Sequence, residues 1–209
     1  MQNIKAIIFD LGGVLLNIDF LKVSEAFKAL GVINFDELYN QSESNPLFAD
    51  LETGRINEEE FCEGIKKCTD KPITNEDITK AWNAILLDFR KDSINYLAQL
   101  KSKYKLFLLS NTNIIHYKAF NKIFDATIGN QSFNSYFDKA YYSHEIGLRK
   151  PHVDAYQFVL NENNLQPQSA VFIDDTLNNI QGAKAAGLQT ILLEKGGKIE
   201  DLEELKVEH

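Results

Sequence analysis

Four short runs of consecutive apolar residues stand out along the chain: Ala6 to Phe9, Leu106 to Leu109, Ala170 to Ile173 and Thr190 to Leu193. Each is continuous rather than alternating, the pattern of strands covered on both faces of a parallel sheet. Amphipathic stretches separate the last three. Ser93 to Leu100 predicts a helix before the second run, Val153 to Leu160 one before the third, and Asn178 to Ala186 one that Gly187 closes. Strands that alternate with helices predict a doubly wound, mostly parallel α/β sheet.

The first two runs are separated by far more chain than the ~30 residues of a simple βαβ unit. Within that stretch Asp19 can cap a helix running to about Leu30, with Gly31 ending it. Further helical patterns cover Phe35 to Tyr39, Asn57 to Lys67 and Asn75 to Leu86. Residues 18–89 are therefore expected to form an inserted all-helical cap, and residues 1–17 and 90–209 the α/β core. Trp82 and Phe61, at helical spacing, read as cap core. The acidic tail after Lys198 is expected to fray.

With 209 residues the chain can hold one sizeable core and an appendage. A net charge of -8 speaks against a nucleic-acid partner, since phosphate backbones select basic surfaces. An acidic protein that handles phosphate has to concentrate cations or a metal at one place. Cys62 and Cys68 are the two cysteines, and no nearby histidine completes a zinc set. No run approaches the ~20 apolar residues of a membrane span, and the first ten residues lack a secretion-signal pattern. The expectation is a cytoplasmic protein acting on a small molecule, away from membranes; the oligomeric state is not legible.

The chemistry sits where the runs end. Asp10 follows the first, with Gly12 and Gly13 after it, at the strand end where open α/β sheets bind ligands; a turn-capping aspartate would look the same. Ser110 ends the second run, followed by Asn111, and reads equally as a helix cap. Lys150 lies in Gly147-Leu148-Arg149-Lys150-Pro151, before a proline suited to a helix's first turn. Asp174 and Asp175 end the third run. Adjacent carboxylates repel, so a divalent cation explains them economically, and a capping pair is the plainer reading.

Taken together and in order, Asp10, Ser110, Lys150 and Asp174-Asp175 resemble the four motifs of the haloacid dehalogenase superfamily, and the insertion resembles its helical cap. The segments Ser143 to Pro151 and Val171 to Gly187 are most similar to the branch with bacterial α-glucose-1-phosphate phosphatases and the phosphatase domain of soluble epoxide hydrolase. The resemblance implies a phosphatase in which Asp10 attacks phosphorus and becomes an aspartyl phosphate. It implies Mg²⁺ held by Asp10, Asp174 and the Gly12 main-chain oxygen, with Asp175 acting through a water. Ser110 and Lys150 would grip the phosphoryl oxygens, with Gly13 and Asn111 at the substrate. Glu52 and Arg55, in a cap turn, are candidates for substrate selection.

One position departs from the family. Most of its phosphatases carry an acid–base aspartate two residues after the nucleophile, and Gly12 stands there. General acid–base catalysis is worth about 10²–10⁴ in rate, so a leaving group that needs little protonation suffers least. Sugar 1-phosphates fit that description. Asp19, His144 or a water are the candidate substitutes for the missing acid, although Asp19 reads first as a helix cap. The rivals are a non-catalytic phosphate- and metal-binding protein and a haloacid dehalogenase. A dehalogenase has no need of paired carboxylates after the third run, and a phosphomutase needs a proton shuttle at position 12. A phospho-receiver domain has its acidic pair early in the chain, the reverse of the order here.

Overall fold

The computed structural model describes residues 3–39, 45–129 and 131–205. Seven strands are present among them: β1 (Ala6–Phe9), β2 (Leu16–Ile18), β3 (Leu86–Phe89), β4 (Lys105–Ser110), β5 (Lys139–Tyr142), β6 (Ala170–Asp174) and β7 (Gln189–Leu192). The helices are α1 (Phe20–Ala29), α2 (Phe35–Leu38), α3 (Pro46–Glu52), α4 (Glu58–Lys66), α5 (Asn75–Asn83), α6 (Lys91–Leu100), α7 (Ile114–Thr127), α8 (Ser143–Ile146), α9 (Val153–Glu162) and α10 (Leu177–Ala185).

Five strands form one sheet in the order β5-β4-β1-β6-β7, and every neighbouring pair is parallel. The chain leaves β1 toward β4 and β5, then returns to its other side for β6 and β7. Strand β1 is thus the switch point, where connections diverge and a crevice opens beyond the strand ends. The pleat explains the unbroken apolar runs. Ile7 and Phe9 face one buried cluster with Leu106, Leu108 and Ile173, while Ala6 and Ile8 face another with Leu109, Phe172 and Tyr156.

Helices α1 to α5 surround a third cluster in which Phe27, Phe35, Phe48, Phe61 and Trp82 pack together. Their starts are fixed locally. Asp19 accepts hydrogen bonds from the Leu21 and Lys22 amides, and full capping boxes open α4 at Asn57 and α5 at Thr74. Each such cap contributes about 1 kcal/mol. Ile115 of α7 joins this cluster, so the inserted helices dock on the core through side chains as well as through the chain crossings.

Several expectations need correction. The pattern read as a helix from Asn75 to Leu86 ends at Asn83, and Leu86 opens β3, which pairs antiparallel with β2. This ribbon carries the chain into and out of the helical insertion, which is therefore not bounded by helices. Pro151 lies ahead of α9 instead of in its first turn. The tail is not frayed through residue 205. Ile199 and Leu205 are fully buried, Ser93 Oγ donates to Glu200 at 2.7 Å, and the Tyr96 hydroxyl donates to the Leu205 carbonyl at 3.0 Å. Apolar residues spaced among the acids hold it down. No helix among the described residues is long and apolar enough to cross a membrane.

Candidate active site

Three of the predicted groups stand at the carboxyl ends of the three central strands. Asp10 follows β1, Ser110 ends β4 and Asp174 ends β6, so the parallel register alone brings them to one edge. The Asp10 amide donates to the Ile173 carbonyl at 2.9 Å, which extends the ladder one residue and fixes the carboxylate. Lys150 reaches in from the loop before α9. Its Nζ lies 2.7 Å from Asp10 Oδ1 and 2.8 Å from Asp174 Oδ2, with the ammonium buried.

The loop that delivers the lysine is held by Asn111. Its side-chain amide donates to the Lys150 carbonyl at 2.9 Å, and its side-chain oxygen accepts from the Lys150 N–H at 2.9 Å. Asn111 also lines the cavity, so the clamp that positions the lysine loop is itself part of the wall. Asp174 is held from the far side by the Thr176 amide at 2.8 Å and the Asn179 side chain at 3.0 Å.

Asp10, Asp174 and Asp175 each offer an oxygen within 4.8 Å of the others, the donor set of a hard divalent cation. Gly13 makes that approach feasible. Its φ is +72°, and a Cβ there would lie 1.9 Å from Asp175 Oδ2. Gly13 therefore packs directly against the Asp175 carboxylate. Burial pushes the Asp10 carboxyl up to about 7, with Lys150 opposing and Asp174 reinforcing the rise. Burial also raises Asp175, helped by Asp174. For Lys150 burial acts downward, but the Asp10 and Asp174 charges outweigh it and the net shift is upward. One ammonium among three carboxylates leaves surplus negative charge, which a bound cation would offset.

The cavity over this cluster has a volume of about 170 Å³ and includes Gly12, Ile18, Glu52, Tyr39, His116 and Arg149 in its wall. That is smaller than the ~300–1,000 Å³ of drug-sized pockets and suits a compact ligand. Glu52 is buried in it, whereas Arg55 points to solvent and pairs with Asp50 at 3.0 Å, so the structure does not bring Arg55 to the site. Asp19 serves α1 as its cap, and His144 packs on Tyr117 and Tyr142; neither lines the cavity. Ser110 does line it, and the cap of α7 is Asn113, so the hydroxyl is not the helix start that the sequence also allowed.

His116 was not legible as a site residue. Its ring stacks on Trp82 at 4.6 Å, with one nitrogen on the Asn113 amide and the other on the Trp82 carbonyl. Asn113 Nδ2 donates to Nδ1, and Nε2–H donates to the carbonyl, which fixes a neutral tautomer. Burial lowers its pKa from 6.5 to about 4. Between those values the unfolded chain binds a proton that the folded chain refuses, so stability falls as pH falls through this window, by roughly 3 kcal/mol in all. Urea unfolding at about pH 7 and about pH 4.5 should show a smaller acid loss in His116→Gln than in the natural chain; equal losses contradict the assignment.

A family model for haloacid dehalogenase-like hydrolases matches residues 4–187. The chain belongs to the haloacid dehalogenase-like hydrolases. It is 30% identical over 194 residues to D-ribitol-5-phosphate phosphatase from Bacteroides thetaiotaomicron, covering 92% of this chain and 93% of that one. A haloacid dehalogenase family enzyme from the same organism, in complex with magnesium and inorganic phosphate, superposes with a TM-score of 0.86 at 34% identity over 98% of this chain and 100% of the other. A haloacid dehalogenase-like hydrolase from Porphyromonas gingivalis gives 0.84 at 31% identity, with 93% of each chain covered. The parallel sheet and helices described above are those of a haloacid dehalogenase-like fold.

Proposed function

We propose that the chain is a Mg²⁺-dependent phosphatase that transfers the phosphoryl group of a small, hydroxyl-rich phosphomonoester to Asp10 and then to water, with sugar 1-phosphates favoured. The observation that carries this reading is Lys150 Nζ set between Asp10 and Asp174 at 2.7 and 2.8 Å, with Asp175 beside them. Likeness to a magnesium- and phosphate-bound enzyme and to a sugar-alcohol phosphate phosphatase supports it.

A carboxylate needs no base to act as a nucleophile, so Asp10 attacks phosphorus in line as the bond to the leaving oxygen breaks. The Lys150 ammonium and the Ser110 hydroxyl hold phosphoryl oxygens while charge redistributes over them. Asp10, Asp174 and the Gly12 main-chain oxygen would hold a magnesium ion, with Asp175 acting through a water; the three carboxylates offer oxygens within 4.8 Å of one another. When bound, that ion supplies charge neutralisation between two anions.

At Gly12 no side chain can protonate the leaving oxygen. Asp19 and His144 lie outside the cavity wall, and both nitrogens of His116 are engaged. The leaving oxygen then departs with its electron pair and takes a proton from water, which favours hemiacetal oxygens over simple alkoxides.

A phosphate-release screen with glucose 1-phosphate, glucose 6-phosphate, ribitol 5-phosphate, a nucleotide and an aryl phosphate tests both levels. Release is expected only with Mg²⁺, and about tenfold or more faster from the 1-phosphate than from the 6-phosphate. Release from none of them contradicts the phosphatase reading. Faster release from the 6-phosphate or from ribitol 5-phosphate contradicts the leaving-group argument alone.

A further inference from the structure

Two charged side chains in the cavity wall have no part in the phosphoryl chemistry. Glu52 is the last residue of α3, in the insertion, and Arg149 precedes Lys150 in the core. Their side chains are 9% and 17% exposed, and Arg149 Nη2 lies 2.9 Å from Glu52 Oε2. The contact is off the alignment of a hydrogen bond, and Oε2 has no other partner among the described residues. Gly54, at φ +68°, turns the chain so tightly against the core that a Cβ there would lie 2.2 Å from the His144 carbonyl oxygen. The turn therefore seats Glu52 against the lysine loop. Tyr39 lines the same wall, and its phenol is pushed up by burial first and by Glu52 second.

A buried carboxylate is costly unless its acceptor sites are filled, and one misaligned contact fills little of that capacity. We propose that Glu52 and Arg149 form the recognition site for the hydroxyl groups of the leaving group, the insertion supplying the acceptor and the core the donor. A hydroxyl both donates and accepts, so neighbouring hydroxyls can satisfy a carboxylate and a guanidinium together. The pair carries no net charge and so offers nothing to a second anionic group, and the class selected is a neutral polyol or sugar bearing one phosphate. An apolar leaving group would leave the buried Glu52 oxygen without a hydrogen-bond donor. The inference rests on the phosphatase reading for the word "leaving", but its test does not depend on turnover.

The test is calorimetric binding in the Asp10→Asn background with Mg²⁺, using glucose 1-phosphate, ribitol 5-phosphate and phenyl phosphate. Adding Glu52→Gln should weaken at least one of the two hydroxylated ligands by about tenfold or more relative to phenyl phosphate, the scale of a hydrogen bond to a charged group. Retained phenyl phosphate binding shows that the variant is folded. Equal weakening of all three ligands, or of none, overturns the proposal and leaves the pair as a strut between insertion and core. Should the single variant not fold, Glu52→Gln/Arg149→Gln, which removes both charges of the pair, has the same expected and overturning results. Failure of the natural chain to release phosphate sinks the phosphatase reading separately, and the binding ratio still decides the role of the pair.

Discussion

Asp10→Asn should reduce phosphate release by at least about 10⁴-fold while leaving the fold intact, the scale seen when an enzyme loses its covalent nucleophile. The amide has nearly the carboxylate's shape, and the ladder hydrogen bond from residue 10 to the Ile173 carbonyl uses the main chain, so β1 stays in register. Lys150 keeps Asp174 as its partner at 2.8 Å. Removal of one carboxylate from a crowded cluster relieves repulsion, and a buried carboxyl whose pKa has risen to about 7 is one whose charge the site pays for. Thermal unfolding of the variant should therefore occur at or above the natural chain's temperature. Single-turnover phosphate release within about a hundredfold of the natural rate would mean that water attacks phosphorus directly, and the covalent mechanism would fail.

Gly12→Asp is the second large effect, in the opposite direction. The variant supplies a carboxyl group where the family's acid–base residue stands, and the gain should appear with leaving groups that most need a proton. For glucose 6-phosphate or ribitol 5-phosphate the expected rise in kcat/KM is about 10²-fold or more, toward the ~10²–10⁴ of general acid–base catalysis. For an aryl phosphate it should be small. The obstacle is steric. A Cβ on Gly12 would lie 3.1 Å from Ile18 Cδ1, so Ile18 has to give by a few tenths of an ångström. Removing that carbon with Ile18→Val costs about 1 kcal/mol of packing and should let the double variant exceed the single one. Equal or lower activity of both variants on every substrate would show that the absent acid does not limit this chain.

How much of this was legible in the sequence differs from residue to residue. Strands β1, β4 and β6 announce themselves because both faces of the sheet are covered along them, and the groups at their ends are chemically conspicuous; the edge strand β7 is only partly buried and is marked by its apolar run alone. Strand β5 is an edge strand of Lys139, Ala140, Tyr141 and Tyr142, of which only the two tyrosines are buried, so no apolar run marks it. Leu86 and Phe89 fit a helical spacing as well as a strand, and the pairing with β2 that decides between them is a tertiary contact. The same limit applies at the site. Glu52 could be suspected from its place in the insertion, but its partner Arg149 lies far along the chain, and Arg55, equally suggestive by composition, turns to Asp50 in solvent. Asn111 carries a signal of chemistry, yet its bonds go to the Lys150 main chain, a use that no side-chain pattern encodes. His116 is silent because a histidine on an amphipathic helix reveals nothing of a tryptophan carbonyl brought to it by another element.

The central claim is that Asp10 itself carries the phosphoryl group. Acid-quenched single turnovers with glucose 1-phosphate and Mg²⁺, followed by peptide mass mapping, test it most directly. The account predicts the added mass of one phosphoryl group on the peptide containing Asp10, present at early times and lost as phosphate appears. Phosphate released with no labelled peptide at any time, or with the label on the peptide containing Ser110, would contradict it.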